Sequence, residues 1–168
     1  KWLDVPGEKE KIGHGVSSCA PCDAAFFKGK NVIVAGGGDT AMEDGIFLTN
    51  FASSVTIIHR RDEFRASHIM IERAKNNPKI KFIFNTEVKE VLGADKVTGV
   101  KLFNNKTNET SEMQIDGVFV AIGHVPNSIV FSARGGSSSG RKGIDVDEQG
   151  YIKVHDHYKT NIEGVFVA

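Results

Sequence analysis

Cys19 and Cys22 are the two cysteines of the chain, and they stand as Cys-x-x-Cys in Ser17-Ser18-Cys19-Ala20-Pro21-Cys22-Asp23. A disulfide closing so small a loop stabilises a fold far less than one closing a long loop, and a single pair is too few for a zinc centre of four thiolates. The pair therefore points to redox chemistry. At the start of a helix a thiolate gains from the helix dipole, and its Cys-x-x-Cys neighbour can hydrogen-bond to it. Its pKa falls, and it becomes a competent nucleophile and leaving group near neutral pH. Either Cys19 or Cys22 fits the attacking thiol. Asp23 is placed to pass a proton when the disulfide opens, provided burial raises its pKa. An ordinary first-turn carboxylate fits that position equally.

A second group of residues suits an anion. Gly36-Gly37-Gly38-Asp39-Thr40-Ala41 fits Gly-x-Gly-x-x-Ala. In that pattern the first glycine makes a tight turn, the third residue lets the backbone approach a diphosphate, and Ala41 permits close packing of helix on strand. The diphosphate would then meet the free N–H groups and positive dipole end of the helix. A site for an unphosphorylated ribose places Asp or Glu at the end of the second strand, roughly 20 residues after the glycines. This chain has His59-Arg60-Arg61 there, followed by Arg65. A carboxylate would repel a 2′-phosphate, whereas guanidinium groups hold one through paired, charge-assisted hydrogen bonds. NADP(H) is therefore the expected coenzyme, with Asp62 and Glu63 as potential competitors for the arginines.

These residues need elements to position them. Residues 17–27 read as a short helix capped by Ser17 or Ser18, with Phe26 and Phe27 packed inward. Residues 31–35 are a β-branched apolar run of the kind buried in a parallel strand, and it ends at the glycine turn. Helical spacing follows over 39–50, with Asp39 or Thr40 as the cap. A second strand is expected over 54–58, a second helix over 67–76 stopped by Pro78, and a third strand over 80–84. The alternation of strand and helix implies a parallel α/β sheet. Segments 87–92, 97–103 and 112–115 then alternate apolar and polar residues between turns, as an antiparallel meander covering one face of that sheet should. Residues 117–123 return as a buried strand. The expected fold is thus a three-layer, Rossmann-like sheet with crossover helices on one face and a β-meander on the other. Beyond Pro126 the pattern weakens: a Gly/Ser-rich stretch at 134–141 reads as a flexible loop, with short strands at 151–154 and from 164 onward.

Composition narrows the class. Twenty-one basic residues balance twenty-one acidic ones among 168, so no global field draws the chain to nucleic acid or anionic lipid. No run approaches the roughly 18 apolar residues of a membrane span, and Lys1-Trp2-Leu3-Asp4-Val5-Pro6 lacks the core of a signal peptide. An intracellular, cytoplasmic location is expected.

A Cys-x-x-Cys before a nucleotide turn, with a basic run at the ribose, resembles the low-molecular-weight thioredoxin reductases of bacteria, plants and fungi. The matching stretches are Ser18-Cys19-Ala20-Pro21-Cys22-Asp23, Gly36-Gly37-Gly38-Asp39-Thr40-Ala41, His59-Arg60-Arg61-Asp62-Glu63-Phe64-Arg65-Ala66 and Val120-Ala121-Ile122-Gly123-His124. The resemblance implies electron flow from NADPH to FAD, then to the Cys19–Cys22 disulfide, then to thioredoxin, with rotation of this domain against a flavin domain. It implies that Arg60, Arg61 and Arg65 hold the 2′-phosphate, that Cys22 is the thiol nearer the flavin, that Cys19 attacks thioredoxin and that Asp23 is the acid. Ile122, Gly123 and His124 join the cofactor-binding set on the same ground.

Residues 1–123 would be the NADPH-binding domain and 124–168 a partial returning segment of the FAD domain. The FAD-binding strand and glycine turn that open the family's sequences are absent, and the chain stops just before the Gly-Asp that contacts FAD. The chain by itself is thus expected to bind NADPH, to hold FAD poorly and to show no turnover. Family members are homodimers through the flavin domain, which leaves this piece free to be a monomer. Two other readings stay open: the flavoprotein subunit of an alkyl hydroperoxide reductase, and a nucleotide-binding redox-sensing module.

Overall fold

A computed structural model describes residues 1–128, 130–131 and 143–167. The chain divides into two compact units, Lys1–Gly123 and His124–Ala168. The first unit contains β1 (Val16–Ser17), α1 (Ala20–Asp23), β2 (Asn31–Gly36), α2 (Asp39–Leu48), β3 (Ser54–Ile58), α3 (His68–Lys75), β4 (Ile80–Ile83), β5 (Thr86–Leu92), β6 (Gly99–Asn104), β7 (Glu109–Gln114) and β8 (Gly117–Ala121).

Five strands form a parallel sheet in the order β1-β8-β2-β3-β4. Because side chains alternate across a strand, each central strand serves two cores. Val32 and Val34 of β2, Val55 and Ile57 of β3, and Phe119 and Ala121 of β8 point to the helices, where Ala41, Met42 and Leu48 of α2 and Ala74 of α3 meet them. Ile33, Ala35, Ile58, Val118 and Val120 point the other way, onto Val88, Val91, Val100 and Leu102 of the antiparallel β5-β6-β7 sheet. This is the α/β three-layer arrangement expected from the sequence. Helix α2 lies close on the sheet because Gly45 leaves room: a Cβ there would stand 2.8 Å from Ile57 Cδ1.

Several local expectations differ. The Cys-x-x-Cys helix has Cys19 as its N-cap, with no side-chain capping bond. Ser17 instead lies in β1, a two-residue strand whose lone apolar residue gave no periodic signal, and its Oγ accepts the Cys19 N–H at 3.0 Å. Phe26 is 72% exposed, while Phe27 is buried edge-on against Phe119 at 5.1 Å between ring centroids. The segment Ala24–Phe27 is a 3-10 turn, in which residues three apart share a side. Ala24 and Phe27 therefore face the core and Phe26 turns outward. The cap of α2 is Gly38, not Asp39 or Thr40.

In the second unit the expected strands at 151–154 and from 164 reduce to isolated bridges, Val146 with Ile152 and Lys159 with Phe166. Tyr151 and Val154 are about half exposed, at 49% and 48%, so no buried face enforces a ladder there. The Gly/Ser-rich stretch at 134–141 lies outside the described residues.

Candidate nucleotide and dithiol sites

The carboxyl ends of β2, β3 and β8 meet at one place. Parallel α/β sheets bind ligands outside those ends, at the point where connections leave in opposite directions. Here β2 has β3 on one side and β8, reached only after the whole meander, on the other. A cleft of about 420 Å3 opens there, lined by Gly36 and Gly37 from the turn, His59, Arg60 and Arg65 from the segment after β3, and Ala121 and Ile122 from β8.

The glycine turn is shaped by space. None of Gly36, Gly37 and Gly38 has a positive φ. A Cβ on Gly36 would collide with the Ala121 carbonyl oxygen and stand 2.9 Å from Ala41 Cβ; one on Gly37 would collide with the His59 ring. A Cβ on Gly38 would meet no protein atom within 4 Å, so the α2 N-terminus is open in front of that residue. Asp39, expected as a cap, turns aside: its Oδ1 accepts the Ser67 N–H and hydroxyl, both at 2.8 Å. The Ser67 N–H, then its hydroxyl, hold the Asp39 carboxyl below the usual carboxylate range. This pair ties the turn to the far end of the basic segment, and the Arg65 N–H donates to the Gly37 carbonyl at 2.7 Å.

His59 is 6% exposed, and its ring lies 5.5 Å from that of Phe64. Burial lowers its pKa; neighbouring Arg65 and Arg61 push the same way, while the backbone of Glu63 and Gly36 opposes them. Its Nε2 is buried without a hydrogen-bond partner among the described residues. Arg60, Arg61 and Arg65 are exposed, and none forms an ion pair among those residues, so Asp62 and Glu63 do not neutralise them. Exposed guanidinium groups beside the cleft suit a phosphate monoester, which offers acceptors to each of them.

Arg61, Gly38, Asp39, Thr40, Ala41 and Gly123 do not line the cleft, and His124 belongs to the second unit. Conversely, sequence reasoning missed the opposite wall, made by Leu3 and Val5 from the N-terminal segment and by Thr86–Lys89 of β5. The buried Glu8 carboxylate shapes that segment by accepting the Leu3 and Asp4 N–H groups, each at 2.8 Å. Its signal in the sequence is a lone Glu after Pro-Gly, which nothing marks as buried.

Cys19 and Cys22 are joined as a disulfide, with 5.3 Å between Cα atoms. Cys22 is exposed and Cys19 half-buried. Asp23 lines a separate hollow of about 220 Å3 with His14, Phe27, Lys30 and Lys96. No cluster of three or more metal-binding side chains occurs among the described residues, and no helix among them is long and apolar enough to cross a membrane.

Residues 1–168 match the family described as pyridine nucleotide-disulphide oxidoreductase. The chain belongs to that family. Among relatives of this oxidoreductase chain, the thioredoxin reductase of Mycolicibacterium smegmatis is 50% identical over all of the chain and 51% of its own length. The thioredoxin reductase of Bacillus subtilis is 48% identical, again with the whole chain matched to 51% of that protein. In structure, Lactococcus lactis thioredoxin reductase superposes with a TM-score of 0.87 at 41% identity, covering 99% of this chain and 52% of that one. The T. acidophilum thioredoxin reductase gives 0.88 at 34% identity with the same coverage. The chain thus spans about half the length of the relatives it matches.

Proposed function

We propose that this chain is the NADPH-binding, dithiol-bearing part of a thioredoxin-disulfide reductase, acting in the cytoplasm as part of a homodimer. Residues 1–123 form the NADPH domain and 124–168 part of the FAD domain. The observation that carries the reading is the set of exposed arginines, without ion pairs among the described residues, beside an open helix N-terminus. Family membership and the similarity to thioredoxin reductases support a flavin-dependent route to a disulfide and favour thioredoxin over a peroxidase partner or a sensor.

The residues of the chain divide the work. Gly36–Ala41 bring backbone N–H groups to the diphosphate. Arg60, Arg61 and Arg65 hold the 2′-phosphate, with His59 lining the cleft beside them. Ile122, Gly123 and His124 complete the nucleotide set at the end of β8. Bound FAD supplies the two-electron carrier between nicotinamide and disulfide. The Cys19–Cys22 bond accepts two electrons and two protons to give two thiols, with Asp23 as the acid beside Cys22. The Cys19 thiolate then attacks the acceptor disulfide, Cys22 closes on the mixed disulfide, and the acceptor leaves as a dithiol.

The test is NADPH-dependent reduction of a thioredoxin disulfide by the full-length protein loaded with FAD. Cys19→Ser and Cys22→Ser should each abolish turnover while leaving NADPH affinity within about twofold, since neither thiol belongs to the nucleotide cleft. Turnover that survives both changes contradicts the relay.

A further inference from the structure

The basic segment is held by two elements: the β4–β5 connection with the start of β5, whose Thr86 also lines the cleft, and the turn between β6 and β7, which does not line it. Three consecutive backbone carbonyls at the start of the segment each accept a hydrogen bond: His59 from the Thr86 N–H at 3.0 Å, Arg61 from the Asn85 N–H at 3.1 Å, and Arg60 from the Asn105 side-chain amide at 2.7 Å. Two of these donors are backbone groups of the β4–β5 connection, present whatever the residue. The third is a side chain from the turn between β6 and β7, 45 residues along the chain. That turn is seated on the same connection, because the Asn105 N–H donates to the Asn85 carbonyl at 2.8 Å. Its shape is set independently, by the Asn104 Oδ1 accepting the Lys106 and Thr107 N–H groups. The Asn105 amide is therefore free to specialise in Arg60.

From this geometry we infer that Asn105 is a positioning residue for coenzyme choice: its Nδ2 fixes the Arg60 backbone so that the guanidinium is presented to the 2′-phosphate of NADPH. The inference rests on the proposed 2′-phosphate site. Arginine recognises a phosphate through a fork whose geometry must be met at two nitrogens, so a backbone free to pivot loses the paired contact before it loses the charge. Among the described residues the exposed Arg60 side chain has no ion pair to steady it, so its placement rests on the backbone that these carbonyl contacts hold.

Calorimetric titration of the chain with NADPH and with NADH tests this in Asn105→Ala, Asn105→Asp and Arg60→Gln. Asparagine and aspartate both suit turns, but aspartate faces the Arg60 carbonyl with an acceptor instead of a donor. Both Asn105 variants should lower the preference for NADPH over NADH by about three- to tenfold, the scale of one hydrogen bond. NADH affinity should change by less than about twofold, because the diphosphate cradle is untouched. If Arg60→Gln lowers the preference and neither Asn105 variant does, the role of Asn105 is overturned while the phosphate site stands. Equal loss of both coenzymes in the Asn105 variants overturns it as well, since that is what general loosening of the fold produces. A preference unaltered by Arg60→Gln overturns the phosphate site and this inference with it.

Discussion

Asp44 shows how one side chain can make stability depend on pH without touching the chemistry. It is half-buried on α2 beside Glu43, and burial first, then the Glu43 charge, raises its pKa from 3.8 to about 6. A carboxyl whose folded pKa lies above its unfolded one binds more protons when folded, so it stabilises the fold in acid and loses that contribution as pH rises. The loss begins above pH 3.8 and is complete above about 6. Asp44→Asn should therefore raise stability at pH 7.5 by on the order of 1 kcal/mol, after discounting for its partial exposure. In thermal unfolding that is about 3 °C, and the gain should vanish near pH 4, where the wild-type carboxyl is protonated in the fold. A gain of equal size at both pH values would point to lost packing strain instead of charge.

The three glycines at the end of β2 show what an element demands of its residues. Gly36 is needed by the fold, because a Cβ there collides with the Ala121 carbonyl on β8. Gly36→Ala should cost about 1–3 kcal/mol, the range for overpacking, measured by denaturant unfolding. Gly38 has extended backbone at φ −100° and ψ −176° and open space before it. Gly38→Ala should therefore leave stability within about 0.5 kcal/mol, yet weaken NADPH binding by about tenfold or more by holding the diphosphate off the backbone. A Gly38→Ala chain with unchanged affinity would remove that turn from the site.

Much of this element was legible in the sequence. A β-branched run ending in Gly-Gly-Gly before a helical pattern fixes strand, turn and helix from local rules. Illegible was the role of Asp39, whose carboxylate reaches Ser67, 28 residues away, since a side chain next to a helix start looks like a cap until its distant partner is known. The same holds for Phe26, whose outward turn depends on a 3-10 geometry that shares its composition with an α-helix.

For the whole molecule, strand–helix alternation followed by period-2 segments gave the layers, and the basic run supplied His59, Arg60 and Arg65 of the cleft. The opposite wall was hidden because Leu3, Val5 and Thr86–Lys89 reach the site only through tertiary packing, and β1 because two residues carry no period. The same division governs the activity. On the proposed function, nucleotide recognition belongs to residues 1–123, whereas the relay through Cys19 and Cys22 would need FAD and an acceptor disulfide. On that reading binding and turnover separate: the chain should bind NADPH without FAD, and NADPH oxidation with thioredoxin should require bound FAD.

In the proposed function, an open helix N-terminus and guanidinium groups without ion pairs among the described residues, at the ends of parallel strands, select the phosphorylated coenzyme. Equilibrium titration of the chain with NADPH and NADH side by side tests it most directly. NADPH should bind more tightly than NADH by about 100-fold, as one or two charge-assisted contacts supply, with the gap mostly closed in a chain carrying Arg60→Gln, Arg61→Gln and Arg65→Gln. Equal affinity for the two coenzymes in the unaltered chain would contradict it.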